Sequence, residues 1–260
     1  MDFSTLTTVE ATLHDHILTV TLNRPNKLNA FNQAMLDDFK SLWAYADITD
    51  DVHVIVLRAA GERAFSSGVD VVEEYDTVDN PFSRRDPAHW LCPKLAGCWK
   101  PVICAVHGMV AGGAFYWLNE ADIIIAAEDV EFFDPHVSFG LVAALEPIGL
   151  TRRIPLGDVL RMALLGLDER LSGAQALQMS LISELLPRDE LWSRAQVLAE
   201  RIAAKPPVAI QGTVRAIWES LDTGRTHALA RGMSYVVMGN EIGSAQVDRS
   251  KISGRNYELR

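Results

Sequence analysis

Two glycine-bearing turns constrain this chain more than anything else in it: Phe65-Ser66-Ser67-Gly68-Val69-Asp70 and Gly108-Met109-Val110-Ala111-Gly112-Gly113. Each follows a β-branched apolar run, Val52–Leu57 or Val102–Val106, and precedes a stretch that can be helical. A strand ending in a glycine turn at a helix start leaves backbone N–H groups unpaired and aimed outward. Such donors hold an anion, or an oxygen that becomes negative during a reaction. One glycine turn merely turns a chain. Two of them, about 45 residues apart in a chain of one-domain size, read as a pair of donors.

The rest of the chain supplies a frame for those turns. Val9–Leu13 and Ile17–Leu22 alternate apolar and polar residues around His14-Asp15-His16 and predict a β-hairpin. Asn32 is placed to cap a helix from Gln33 to about Ala46, with Met35, Leu36, Phe39, Leu42 and Trp43 on one face. Val52–Ala59, Ile103–Val106, Ile123–Ala126 and Glu131–Phe133 read as strands, with a helix over Gly113–Asn119. The segment from Asp76 to Trp90 is polar, carries Pro81 and Pro87, and reads as a loop. From Thr151 the pattern turns helical: Val159–Leu165, Ser172–Ser180, Glu190–Ala204, Val208–Leu221 and His227–Asn240. Gly243–Arg260 is polar and has no strong helical pattern.

Composition narrows the partners. At 260 residues the chain can bury about 70–75% of its surface in a core. A net charge of −10 argues against nucleic acid or an anionic membrane as the main partner, though a small anionic molecule needs only a local cluster of Lys and Arg. Cys92, Cys98 and Cys104 are odd in number and lack metal spacing, which fits reduced thiols. With no basic-then-apolar start at Met1-Asp2-Phe3-Ser4 and no bilayer-length apolar run, the expectation is a cytoplasmic protein. The histidines show no metal-type pairing, and no dinucleotide or phosphate-loop motif is present, so neither metal nor redox cofactor is expected.

Four blocks of sequence carry a resemblance. Asn23-Arg24-Pro25-Asn26-Lys27-Leu28-Asn29-Ala30-Phe31 resembles the early motif of the enoyl-CoA hydratase/isomerase (crotonase) superfamily. Ala64-Phe65-Ser66-Ser67-Gly68-Val69-Asp70 is similar to its first oxyanion turn, and Ala105 to Gly113 with Ala121-Asp122-Ile123 to its second. Leu171–Ala176, leading to Leu181–Glu184, resembles a further family block. The resemblance implies an α/β fold: a crotonase-like spiral of strand–strand–helix turns over residues 1–195, then a C-terminal helical trimerisation region and tail over 196–260. It also implies a homotrimer or dimer of trimers, and an oxyanion hole made by the N–H groups of Val69 and Gly113.

The acid/base positions depart from the family pattern. Its hydratases use one glutamate three residues after the second oxyanion glycine and another after a proline in the next loop; here Tyr116 and His136 stand there. The two-glutamate route to hydration cannot be carried over. A histidine exchanges protons near neutral pH, and does so better when a carboxylate orients its other nitrogen. Glu146, ten residues on, is the favoured orienting carboxylate, with Asp134 the second candidate on the ground that a strand would put it on the face of His136. Tyr116 is then a hydrogen-bond donor or proton shuttle, although plain packing beside Phe115 and Trp117 accounts for it equally.

Coenzyme A, as part of the substrate, needs local cations. Arg24, Lys27 and Arg63 flank the expected channel, with Ala64, Ser67, Gly68, Asp70 and Gly112 lining it. The tail Asp248–Arg255 keeps basic charge without the family's terminal pattern, leaving Lys251 or Arg255 as stand-ins. Three functions follow. The first is an enoyl-CoA hydratase-like lyase acting on a thioester with His136-centred acid/base chemistry. The second is a carbon–carbon bond hydrolase acting on a cyclic β-diketone, as in family members with histidine in place of the second glutamate. The third is a non-catalytic acyl-CoA binder.

Overall fold

A computed structural model describes residues 1–73, 82, 86–252 and 257–259 of the chain. Most of the expected loop from Asp76 onward, and Arg255, lie outside the described residues. The chain opens with an antiparallel hairpin, β1 (Val9–His14) and β2 (Ile17–Leu22), registered so that His14 faces Ile17. Its two-residue turn takes positive φ at both Asp15 (47°) and His16 (66°), the backbone twist that suits a tight hairpin. Helix α1 (Gln33–Ile48) starts where Asn32 accepts the Met35 N–H, and it buries the face read from the sequence together with Asp38 and Ala46.

The strand–strand–helix repeat then builds two sheets. β3 (Val54–Ala59) and β4 (Ala64–Ser66) are followed by β5 (Val102–Val106) and β6 (Met109–Ala111). Helix α2 (Phe115–Glu120), β7 (Ile123–Ala127), β8 (Glu131–Phe133), α3 (Leu145–Leu150) and α4 (Leu156–Leu165) come next. β9 (Leu171–Ser172), α5 (Gly173–Gln178) and β10 (Glu184–Leu186) close the repeat. Among the described residues, one sheet has six strands in the order β1-β2-β3-β5-β7-β10 and the other four in the order β4-β6-β8-β9. The large sheet is parallel from β2 onward, so its inner strands are apolar on both faces. One face meets α1 and the aromatic cluster of Phe39, Trp43, Phe65 and Trp117; the other meets α6 (Leu191–Ala203).

The chain ends in α7 (Pro207–Ser220) and α8 (Arg225–Ala245), which pack on each other. Residue 195 falls inside α6, whose Leu191, Ala195 and Ala199 are buried on the large sheet. Helix α8 also runs on to Ala245, past the polar boundary at Gly243, which is itself buried. Of α7 no residue is fully buried, and of α8 only Gly243, which leaves apolar side chains uncovered. No helix among the described residues is long and apolar enough to cross a membrane. Cys92, Cys98 and Cys104 are buried and unpaired.

Candidate active site

The early motif acts first as a clasp. Leu28 and Asn29 both take left-handed backbone (φ 52° and 53°), which turns the Asn29 amide inward to donate to Ala60 O at 2.9 Å and Ala64 O at 3.0 Å. Ser66 Oγ donates to Asn29 O at 2.8 Å and accepts the Gly68 N–H at 3.1 Å. Ser67, half-buried, donates its N–H to Leu28 O at 3.0 Å, and Ala64 is buried. Phe31 brackets the first turn: its N–H reaches Gly68 O and its carbonyl takes the Asp70 N–H, each at 2.8 Å. That pairing leaves the Val69 N–H facing away from Phe31.

The two glycine turns meet. Gly68 has φ +89°, and a Cβ there would lie 2.8 Å from Gly113 N and 2.9 Å from Ala111 O, so only glycine fits. Gly112, at φ +49°, opens a short 3-10 turn over Gly112–Ala114 that leads into α2. The N–H groups of that first turn lack intrahelical partners. A Cβ on Gly112 would come within 3.3 Å of Pro135 Cδ and 3.7 Å of His136 Cε1, which sets the imidazole directly against the second turn.

His136 begins a 3-10 turn over His136–Phe139, just past the end of β8, and its side chain is half-buried. Nδ1 lies 2.5 Å from Asp134 Oδ1, which also accepts the His136 backbone N–H at 3.0 Å. Nε2 lies 3.8 Å from Glu146 Oε1. Of the two candidates for the carboxylate that meets the ring, the second, Asp134, is the one at Nδ1. Asp134, wholly buried, orients the ring through Nδ1, while Glu146 faces the opposite nitrogen. The reason is local: Asp134-Pro135-His136 is not strand but the start of a turn, in which an aspartate two residues back caps the N–H and ring together.

The electrostatics follow from that geometry. The Asp134 hydrogen bond, its charge and that of Glu146 raise His136 above its ordinary 6.5 against the opposing effect of burial. Burial raises Glu146 above its ordinary 4.5; its own N–H and His136 lower it, and Asp134 and Asp86 add to the rise. Tyr116, half-buried and edge-on to Phe31, is pushed far above the ordinary phenol value by burial and by the Glu146 and Asp86 charges. Asp86 was not singled out from the sequence; Asp86-Pro87 signals the N-cap of the short turn Pro87–Leu91, which it is, and nothing more.

The cationic residues divide. Arg24 donates to Ala30 O at 2.5 Å and to Glu73 at 2.6 Å, and lies 3.1 Å from Asp70 Oδ2. Burial raises the Asp70 carboxyl, but the Val72 and Glu73 N–H groups and Arg24 together bring it below the usual range. Arg24 and Asp70 thus lock the first turn rather than standing free. Lys27 and Arg63 are exposed, and no ion pair to either forms among the described residues. No group of three or more His, Cys, Asp or Glu there could hold a metal ion.

A spiral of strand–strand–helix turns, with two glycine turns meeting beside a buried acid/base cluster, defines a crotonase-fold protein. The enoyl-CoA hydratase/isomerase family profile matches residues 12–240, and the chain belongs to that family. It is 29% identical to the (E)-benzylidenesuccinyl-CoA hydratase of Thauera aromatica over 218 residues, 83% of this chain and 84% of that one. It is 28% identical to the peroxisomal Delta(3,5)-Delta(2,4)-dienoyl-CoA isomerase of Arabidopsis thaliana over 254 residues, 92% and 88% of the two chains. The crystal structure of an enoyl-CoA hydratase/isomerase from Mycobacterium paratuberculosis is similar throughout, with a TM-score of 0.87, 32% identity, and coverage of 98% of this chain and 100% of that one.

Proposed function

We propose that the protein hydrates an enoyl-CoA thioester, with the Val69 and Gly113 N–H groups holding the thioester oxygen and His136 and Glu146 moving the protons. The observation that carries this reading is the placement of His136, oriented by Asp134 through Nδ1 and facing Glu146 at 3.8 Å through Nε2, against Gly112 of the second turn. Water adds to C3 of the thioester while C2 takes a proton, and negative charge passes through the carbonyl oxygen as an enolate. Two backbone donors there serve that charge; losing one such donor costs about 2.7–4 kcal/mol of barrier. Neutral His136 accepts the proton of water, and protonated Glu146 delivers one to C2. The Asp134 hydrogen bond raises His136 and burial raises Glu146, and a proton passed from His136 to Glu146 resets the site after each turnover.

Lys27 and Arg63 are exposed cations suited to the phosphates of coenzyme A, with Ala64, Ser67, Gly68 and Gly112 forming the wall beside the thioester and Arg24 with Asp70 bracing it from behind. Tyr116 bounds the acyl side. The similarity to the (E)-benzylidenesuccinyl-CoA hydratase of Thauera aromatica and to the Delta(3,5)-Delta(2,4)-dienoyl-CoA isomerase of Arabidopsis thaliana supports an unsaturated CoA thioester as the substrate. The apolar residues left uncovered on α7 and α8 support assembly as a trimer or dimer of trimers.

A second reading has its own observation. A water-activating histidine–aspartate pair suits carbon–carbon hydrolysis of a cyclic β-diketone, which needs no second glutamate. Calorimetry with acetyl-CoA, followed by loss of enoyl absorbance on crotonyl-CoA, separates the two. Saturable binding and turnover that His136→Ala abolishes support the thioester. No binding at millimolar ligand, with carboxylate product from a bicyclic β-diketone, supports the hydrolase. Binding without turnover of either would leave a non-catalytic acyl-CoA binder.

A further inference from the structure

Glu146 sits in the first turn of α3, a helix of six residues whose start has no side-chain cap and which follows a chain exposed from Val137 to Val142. A helix this short does not hold itself in water. The place of its carboxylate must therefore be set by a neighbour. That neighbour is α2, which continues directly from the Gly112–Ala114 turn. Asn119, near the end of α2, makes the connection: its Nδ2 donates to the Glu146 backbone carbonyl at 2.9 Å. A carbonyl only accepts, so the nitrogen of the amide is the atom that faces it. The same side chain packs on Gly149, where a Cβ would come 2.5 Å from Asn119 Cγ and 2.9 Å from Asn119 Cβ. Glycine there lets α3 approach α2 closely. Arg153, just beyond α3, closes the contact from the other side. Its Nε and Nη2 donate to Asn119 O at 3.1 Å and 2.8 Å, and Nη2 also to Ala121 O. Carbonyls at the end of a helix lack partners within it, and a basic side chain satisfies them.

The amide has a drawback at this position. Asn119 Oδ1 is buried with no hydrogen-bond partner among the described residues, which an alanine there would avoid. What the asparagine supplies in return is the N–H held against Glu146 O and the fit on Gly149. We propose that Asn119 is a positioning residue for the reaction: through α2 it ties the second glycine turn, where the thioester oxygen is held, to the helix that carries Glu146, and so aims that carboxylate at the substrate. This rests on the reading of Glu146 as the proton donor and adds the residue that sets its place. A misplacement of about 1 Å costs on the order of 10²-fold in rate even when its source lies outside the reacting groups. Asn119 is one such source, since it touches the backbone of Glu146 and not its carboxylate.

The test is a double-mutant cycle on crotonyl-CoA, with kcat and KM measured for the wild type, Asn119→Ala, Asn119→Asp, Glu146→Gln and the Asn119→Ala/Glu146→Gln pair. Calorimetric binding of acetyl-CoA gives the folded fraction of each protein. Asn119→Asp keeps the shape of the side chain and removes the donor; Asn119→Ala removes both. Each is expected to lower kcat by about tenfold or more while KM stays within about twofold. In the Glu146→Gln background Asn119→Ala should change the residual kcat by less than about twofold, because a residue that acts through Glu146 then has nothing left to aim. A residue that only held the two helices together would lower the rate in both backgrounds. Wild-type kcat in both Asn119 variants, or equal falls in the two backgrounds, overturns this inference alone. If the wild type does not turn over crotonyl-CoA, or Glu146→Gln matches it, the role given to Glu146 falls and this inference with it.

Discussion

His136 and Asp134 are joined twice: Asp134 Oδ1 lies 2.5 Å from the ring Nδ1 and 3.0 Å from the His136 backbone N–H. One buried oxygen thus fixes the position of residue 136 and takes the Nδ1 proton, so that in the neutral ring the lone pair lies at Nε2. Nε2 faces Glu146, 3.8 Å away, too far for a direct hydrogen bond and near enough for one water to touch both.

Asp134→Asn is expected to lower kcat by about 10²- to 10⁴-fold, with a much smaller change in KM, because the amide presents the wrong partner to the ring. The pH profile gives the sign. Asp134 raises the titration of His136 above 6.5, and a general base works only when neutral, so the rising limb of kcat/KM lies above pH 6.5 in the wild type. Removing the carboxylate moves that limb to lower pH. A limb that stays in place, or moves up, would show that Asp134 does not govern the ring.

Gly68→Ala tests the meeting of the two turns. The new methyl would stand 2.8 Å from Gly113 N and 2.9 Å from Ala111 O at a backbone φ of +89°. Strain of this kind costs about 1–3 kcal/mol, and separating the turns removes the convergence of their donors. A lower melting temperature is expected together with a fall in kcat of about 10²-fold or more. Gly97→Ala is the control: Gly97 also has positive φ (+87°) but nothing within 4 Å of its Cβ, so it should lose stability alone. Equal activity losses in both variants would mean that strain, not the contact, is responsible.

How much of this was legible beforehand depended on what each signal encodes. The hairpin, α1 and the inner strands follow from side-chain period, and Asn32 shows its capping role in the sequence because the cap is a local hydrogen bond. The strands β4, β6 and β9 are two or three residues long and sit inside motifs dominated by glycine or serine, so no period exists to reveal them. Tyr116 and His136 stand out in the sequence because they occupy positions in a motif, and Glu146 because it follows His136 by ten residues. Asp86 and the leading role of Asp134 do not, because both depend on which way a proline-containing turn folds back. Likewise, Arg24 in isolation looks like a free cation, and only the fold shows it closing on Asp70 and Glu73.

His107 predicts acid sensitivity. It is fully buried at the end of β5, and burial above all, with Arg188 adding, lowers its pKa from 6.5 to about 4. In the unfolded chain it titrates near 6.5, so between pH 6.5 and about 4 the unfolded state binds the extra proton. The stability held above pH 6.5 is lost as pH falls through that window, by roughly 3 kcal/mol in all. The drop in melting temperature from pH 7 to pH 4.5 should be smaller in His107→Asn than in the wild type. Parallel drops in the two proteins would assign the acid loss to the carboxylates instead.

The uncovered face of the last two helices yields the final prediction. Leu229, Met233, Val237 and Ile242 of α8 are each more than half exposed, as is Ile217 of α7. Full burial of such a side chain contributes about 1.5–3 kcal/mol, so a few of them held in a repeated contact suffice to keep copies of the chain together. Trp218 Nε1 of α7 anchors the pair to the body by donating to Asp122 at 2.7 Å, while the five apolar side chains named above stay exposed. Light scattering of the wild type should therefore give a mass three or six times that of one chain. Met233→Glu with Val237→Glu should dissociate it to smaller species with α-helical content retained by circular dichroism. A wild type that runs as a single chain at micromolar concentration, or a double variant of unchanged mass, would place the association elsewhere or remove it.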